Sequence, residues 1–143
     1  MEIQTREIFV KTKGFNDILD ITAQVHNLLM ESGLNEGQVT VFVSGSTGGL
    51  TTIEYEPGLL QDIPEFFESI IPMRKQYHHD KTWHDGNGYA HLRAALIKPS
   101  LTIPFRSGRL LLGTWQQIIF IDFDNRSRSR SLIAQLIGVK KTS

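Results

Sequence analysis

Residues 101–124, "LTIPFRSGRLLLGTWQQIIFIDFD", decide the fold. "LTIPF" at 101–105 and "RLLLG" at 109–113 are β-type runs joined by a tight connection that holds Ser107 and Gly108, a hairpin signal. "QIIFIDFD" at 117–124 is a third strand, strongly apolar at first and alternating later, and "SLIAQLIGV" at 131–139 is the last. Strands therefore accumulate towards the end of the chain.

Upstream, helices interrupt the strands. Residues 2–11 alternate polar and apolar and read as a strand. From Asn16 or Asp17 the period changes: Ile18, Ile21, Val25, Leu28 and Leu29 form one helical stripe, with Gly33 as its C-cap and His26 beside it without a role. "QVTVFV" at 38–43 and "LTTIEY" at 50–55 are strands around the small-residue connection "SGSTGG" at 44–49. A short helix is expected at "DIPEFFESI", with Asp62 as cap, Pro64 in the first turn and Glu65 completing a capping-box pair. After Pro72, residues up to Tyr89 read as loop, followed by a helix to about Ile97 that Pro99 stops. The order implies one α+β domain over residues 1–143, a sandwich-like pair of sheets with helices on one side.

Composition narrows the function. Lys plus Arg and Asp plus Glu balance at 15 each, so no global field favours nucleic acid or membranes. With no cysteine, disulfides and thiolate metal sites are excluded, and any metal must be held by His, Asp, Glu, Asn or backbone oxygen. No apolar run approaches the roughly 20 residues that span a bilayer. The N-terminal "MEIQTREIFV" lacks a signal peptide's apolar block, so a soluble, cytoplasmic protein is the expectation.

The chemistry concentrates in "YHHDKTWHDGNGYAHLRAAL", residues 77–96, which hold four of the five histidines. Neutral imidazoles ligate zinc and similar ions, and an open catalytic site uses about three protein ligands. His79, His84 and His91 are the candidate metal ligands, with Asp85 or Asn87 completing the shell or orienting a ring. Their spacing matches no standard zinc motif, and a solvated loop with Asp85 and Asn87 as turn formers is the plainer alternative. Ser44, Ser46 and Thr47 in "SGSTGG" can cradle a phosphate through backbone N–H groups, although the P-loop ending is absent and a strand follows. Glu54 is a candidate proton shuttle, while Glu56 reads as a surface residue. Arg126, Arg128 and Arg130 alternate with serines in "NRSRSRS"; without interleaved aromatics they read as an exposed polar turn and not as a nucleic-acid site. Trp115 reads as a core or subunit-contact residue.

Several of these stretches, "LTTIEYEPG" at 50–58, "DGNGYAHLRAAL" at 85–96, "SLTIPF" at 100–105 and above all "GRLLLGTWQQIIFID" at 108–122, resemble the YjbQ-type family, often described as secondary thiamine-phosphate synthases. The resemblance implies a two-sheet homotrimer with sites in clefts between subunits. It also implies an activity that joins a pyrimidine-methyl diphosphate to a thiazole phosphate with release of diphosphate. The family's histidine before a helical basic residue matches His91, with Arg93 two positions on; its Tyr-x-His element matches Tyr77 to His79; its acidic pair falls near Asp85 and Asn87; its glutamate aligns with Glu54. Many members carry His-Thr where this chain has Gly45-Ser46, and His84, extra relative to them, is the expected replacement nitrogen.

The expected function is thus a metal-assisted enzyme acting on phosphorylated small molecules. Zinc or magnesium would neutralise the leaving group, His91, Glu54, Asp85 and Asn87 would serve the chemistry, and Ser44, Ser46, Thr47, Arg93 and Arg106 would hold phosphate. A non-catalytic metal- or anion-binding homotrimer is the alternative; RNA binding is the weakest reading.

Overall fold

The computed structural model describes residues 1–142. Its elements run β1 (Glu2–Thr12), β2 (Asp17–Asp20), α1 (Thr22–Ser32), β3 (Leu34–Val43), β4 (Gly48–Ile53), α2 (Pro57–Ile70), α3 (His78–Trp83), α4 (Gly88–Ile97), β5 (Ser100–Arg106), β6 (Arg109–Leu110), β7 (Gln117–Asp122) and β8 (Arg128–Lys140). They build an α+β fold with two antiparallel sheets, one of five strands ordered β1-β8-β3-β5-β6 and one of three ordered β2-β7-β4.

β7 explains the layering. A central strand covered on both faces reads as a continuous apolar run, and "IIFIDF" is such a run. Ile118 and Phe120 face the large sheet and join the core formed with Val39, Val41, Leu132 and Leu136 and with Val25 and Leu29 of α1. Ile119, Ile121 and Phe123 face the other way, into a second core against Phe67 of α2 and Tyr89, Ala90 and Ala94 of α4. Helices α2 and α4 therefore lie outside the small sheet. The outer face of the large sheet is left open, with Ile3, Phe9, Phe42 and Val139 exposed.

Local readings shift in four places. The helix expected from Asn16 or Asp17 begins at Thr22, because Gly14, Phe15 and Asn16 all adopt positive φ (74°, 53° and 65°) and turn the chain alongside β7. There the N–H groups of Phe15 and Asn16 donate to the carbonyls of Asp124 (2.7 Å) and Asp122 (2.9 Å), and Asp17–Asp20 pair with β7 as β2. The apparent helical stripe was shared between two cores, Ile18 in one and Ile21 in the other.

α2 begins at Pro57, not near Asp62. The Glu56 carboxylate caps it, accepting the N–H groups of Gly58 (2.9 Å) and Leu59, so Glu56 is a half-buried cap and Pro64 sits inside the helix. The stretch after Pro72 is not all loop, since it contains α3. Strand β6 stops at Leu110; beyond it the chain turns at Gly113–Gln116, and Trp115 is 70% exposed, which removes it from the core. Among the described residues, no helix is long and apolar enough to cross a membrane.

Candidate functional site

A cavity of about 510 Å³ opens where the β3–β4 loop, α3, the start of α4 and the start of β8 converge. Its position follows from short-range chemistry. Asp80 accepts the N–H of Tyr77 (3.3 Å) at the start of α3 and the N–H of Gly88 (2.9 Å) at the start of α4, so one carboxylate ties the two helices together. They approach so closely that a β-carbon on Gly88 would lie 2.7 Å from Tyr77 Cβ. His84, in the left-handed conformation (φ 57°), ends α3, and Asn125 Nδ2 holds the following turn by donating to the Asp85 carbonyl (2.8 Å).

Two imidazoles face each other across this junction, His79 from α3 and His91 from α4, with ring centroids 4.1 Å apart. His79 Nδ1 lies 3.5 Å from an Asp85 oxygen and 3.9 Å from an Asp80 oxygen, yet among the described residues it has no hydrogen-bond partner, and the atom is buried. Burial, and then the neighbouring His79, hold His91 below the usual imidazole pKa, and Asp85, Asp124 and Asp80 only partly oppose this. His91 is therefore a neutral base near pH 7.

The opposite wall is basic. Arg130 binds the fully buried Asp122 through Nε (2.9 Å) and Nη2 (2.9 Å), and Nη2 also donates to Thr47 Oγ1 (2.7 Å). Its Nη1 turns to the loop, 3.3 Å from where a β-carbon would stand at Gly45. Arg128 binds Asp124 through Nε (3.0 Å) and Nη2 (2.6 Å). Asp124 also accepts from Thr47 Oγ1 (3.2 Å) and Asn87 Nδ2 (3.2 Å), so one buried carboxylate joins three walls of the cavity. Burial alone would raise its pKa; the donors from Arg128, the Asn125 N–H and Asn87 outweigh that and hold it at about 2.

Of the residues expected from the sequence, Ser44, Ser46, Thr47, His79, Asp85, Asn87 and His91 all line this cavity. Thr47 is buried and both roles of its hydroxyl are used within the protein, so Ser44 and Ser46 are the members of the loop open to a ligand. Four residues are not brought to it. His84 is exposed at the end of α3 and lines no part of the cavity, which leaves Gly45 without the replacement nitrogen expected of it. Glu54 is exposed past the end of β4. Arg106 is exposed beside Glu36 (3.8 Å), at a separate cavity of about 450 Å³. Arg93 is wholly buried, donating to the Ile71 carbonyl (2.7 Å), Asn16 Oδ1 (2.9 Å) and Glu68 (2.9 Å) with Tyr89 stacked 4.9 Å away; it locks α4 in place and has no face for phosphate.

Sequence reasoning missed Arg128 and Arg130, which it read as an exposed turn, together with Asp80, Trp83, Asp122 and Asp124. A signal was present: arginines at 128 and 130 repeat with the strand period, as do aspartates at 122 and 124 just before them. Two like-spaced rows of opposite charge flanking one turn can meet face to face.

The comparisons with known proteins agree with this architecture. The family model described as UPF0047 protein YjbQ-like matches residues 6–139. The chain belongs to the YjbQ-like UPF0047 family. A UPF0047 protein of Archaeoglobus fulgidus is 42% identical over 130 residues, 91% of this chain and 99% of the relative. The UPF0047 protein YugU of Bacillus subtilis is 30% identical over 131 residues, 90% of this chain and 96% of that protein. Among solved structures, a YbjQ-like protein of unknown function from Sulfolobus solfataricus superposes with a TM-score of 0.91 at 29% identity, covering 96% of this chain and 98% of its own. These YjbQ-like relatives establish the family and the fold.

Proposed function

We propose that this YjbQ-like chain is an enzyme acting on phosphorylated small molecules with the help of a divalent cation, zinc or magnesium. The observation that carries the reading is the pairing, across one cavity, of a guanidinium turned to a serine loop with a neutral imidazole opposite it. The first suits a phosphate and the second a proton transfer. When bound, the cation would neutralise charge on a diphosphate leaving group.

The resemblance in sequence points to transfer of a pyrimidine-methyl group from its diphosphate to the nitrogen of a thiazole phosphate. The carbon–oxygen bond breaks, the carbon–nitrogen bond forms, and diphosphate leaves with the electron pair. Hydrolysis of a phosphorylated metabolite needs the same anion cradle and uses His91 as the base towards water. Incubating the purified chain with both thiamine precursors, and separately with a panel of phosphorylated metabolites, distinguishes the two by product. Turnover lost in His91→Ala and Arg128→Ala supports the reading; no turnover with any of them refutes it.

The open outer face of the five-stranded sheet favours a second reading in which the chain is a non-catalytic binding homotrimer. Phe9 is 75% and Ile3 is 66% exposed there, and Arg130 lies both beside Phe9 and in the wall of the site. A second copy seated on this face would wall the cavity. Mass measurement in solution tests the association: a trimer that binds diphosphate without turnover favours this reading over catalysis.

A further inference from the structure

The pair of orphaned polar atoms in the cavity says more about its occupant. We propose that His79 Nδ1, the Asp80 and Asp85 carboxylates and the amide oxygen of Asn87 form a divalent-cation site, distinct from a three-histidine set. The proposal rests on the cation-assisted reading above and names the donors.

Suitable ligand atoms of His79, Asp80 and Asp85 all lie within 4.8 Å of one another. Metal–ligand bonds of about 2.0–2.2 Å place neighbouring donors roughly 3–3.5 Å apart, and the His79–Asp85 distance of 3.5 Å is already of that size. Among the described residues His79 Nδ1 has no hydrogen-bond partner, and the atom is fully buried. A buried nitrogen left this way costs free energy unless something satisfies it, and a cation held by the neighbouring carboxylates would do so.

Asn87 is the independent observation. It is 7% exposed and lines the same cavity, and its Nδ2 is committed to Asp124, so the orientation of the amide is set and Oδ1 has no partner among the described residues. Asp80 is equally fixed, with one N–H on each oxygen, and each oxygen keeps a further lone pair. The set contains one imidazole and three oxygen-bearing side chains. Such donors suit manganese or magnesium better than the sulfur- and nitrogen-rich sites that select zinc.

The test uses the full chain stripped of metal and titrated with MnCl2, MgCl2 and ZnCl2 in a calorimeter, with electron paramagnetic resonance of bound Mn(II). One Mn(II) per chain is expected, weakened at least tenfold in Asp85→Asn, a change at an exposed position that spares folding, and unchanged in His84→Ala. Asn87→Ser, which shortens the amide donor away, is expected to weaken it as well. Binding that survives Asp85→Asn but is lost in His91→Ala would overturn the donor set in favour of stacked imidazoles, and no ion bound to the wild type would overturn the site itself. Phosphorus NMR of pyrophosphate with the stripped protein is the separate check on the substrate reading, so that reading can fail while the cation site stands.

Discussion

Replacing Arg130 by methionine tests whether the basic wall is held by buried charge pairing. Arg130 is about one-tenth exposed and grips both oxygens of Asp122, a carboxylate with no exposure whose other partners are the Thr12 hydroxyl (2.6 Å) and the Asp124 N–H (3.0 Å). Methionine keeps the aliphatic stem and deletes the guanidinium. Removing one partner of a buried pair leaves an uncompensated charge and costs about 3–5 kcal/mol. For 143 residues the unfolding entropy is about 0.3 kcal/mol/K, so the melting temperature should fall by roughly 10–17 °C. Arg130→Met combined with Asp122→Asn removes the leftover charge and should regain about 2 kcal/mol of the loss. Urea denaturation of the four proteins gives the cycle. A loss below about 1 kcal/mol for Arg130→Met, the scale of an exposed pair, or no recovery in the double variant, would refute the reasoning.

Gly88→Ala places a β-carbon against Tyr77 Cβ and should cost about 1–3 kcal/mol, as overpacking does; it should also separate the His79 and His91 rings, read as a change in their imidazole NMR shifts. Asp124 titrates at about 2 in the folded chain against an ordinary 3.8, so its contribution is present above pH 4 and is lost as the pH falls towards 2. That contribution is on the order of 2 kcal/mol, and the difference in urea midpoint between wild type and Asp124→Asn should shrink across that window; a constant difference would contradict it. Arg93→Met should destabilise the chain by about 1–3 kcal/mol by leaving the Ile71 carbonyl and Asn16 Oδ1 without their donor, and leave diphosphate affinity in the folded fraction unaltered, because Arg93 does not line the cavity.

The legible parts of the sequence were those fixed by local pattern. Alternation in residues 2–11, the β-branched run at 38–43 and the Ser107–Gly108 hairpin need only near neighbours to read, and the structure has strands and a turn there. β7 was legible as a strand but not as a central one, since two-sided burial depends on α2 and α4 arriving from other parts of the chain. The start of α1 was misplaced because Ile18 and Ile21, though spaced like a helix, serve opposite faces of a sheet. In the site, clustering exposed the imidazoles and the serine loop. It hid Arg128 and Arg130, whose carboxylate partners Asp124 and Asp122 become neighbours only when the turn at 125–127 closes. His84 looked equivalent to His79 in spacing, yet it caps α3 in a left-handed conformation, and its backbone geometry set its direction.

The central claim, that cation and phosphate share the cavity between His79 and Arg130, is tested most directly by phosphorus relaxation of pyrophosphate with the Mn(II)-loaded chain. The account predicts strong paramagnetic broadening of the bound pyrophosphate signal that disappears in Asp85→Asn. Pyrophosphate that binds without broadening, or broadening that persists in Asp85→Asn, would contradict it.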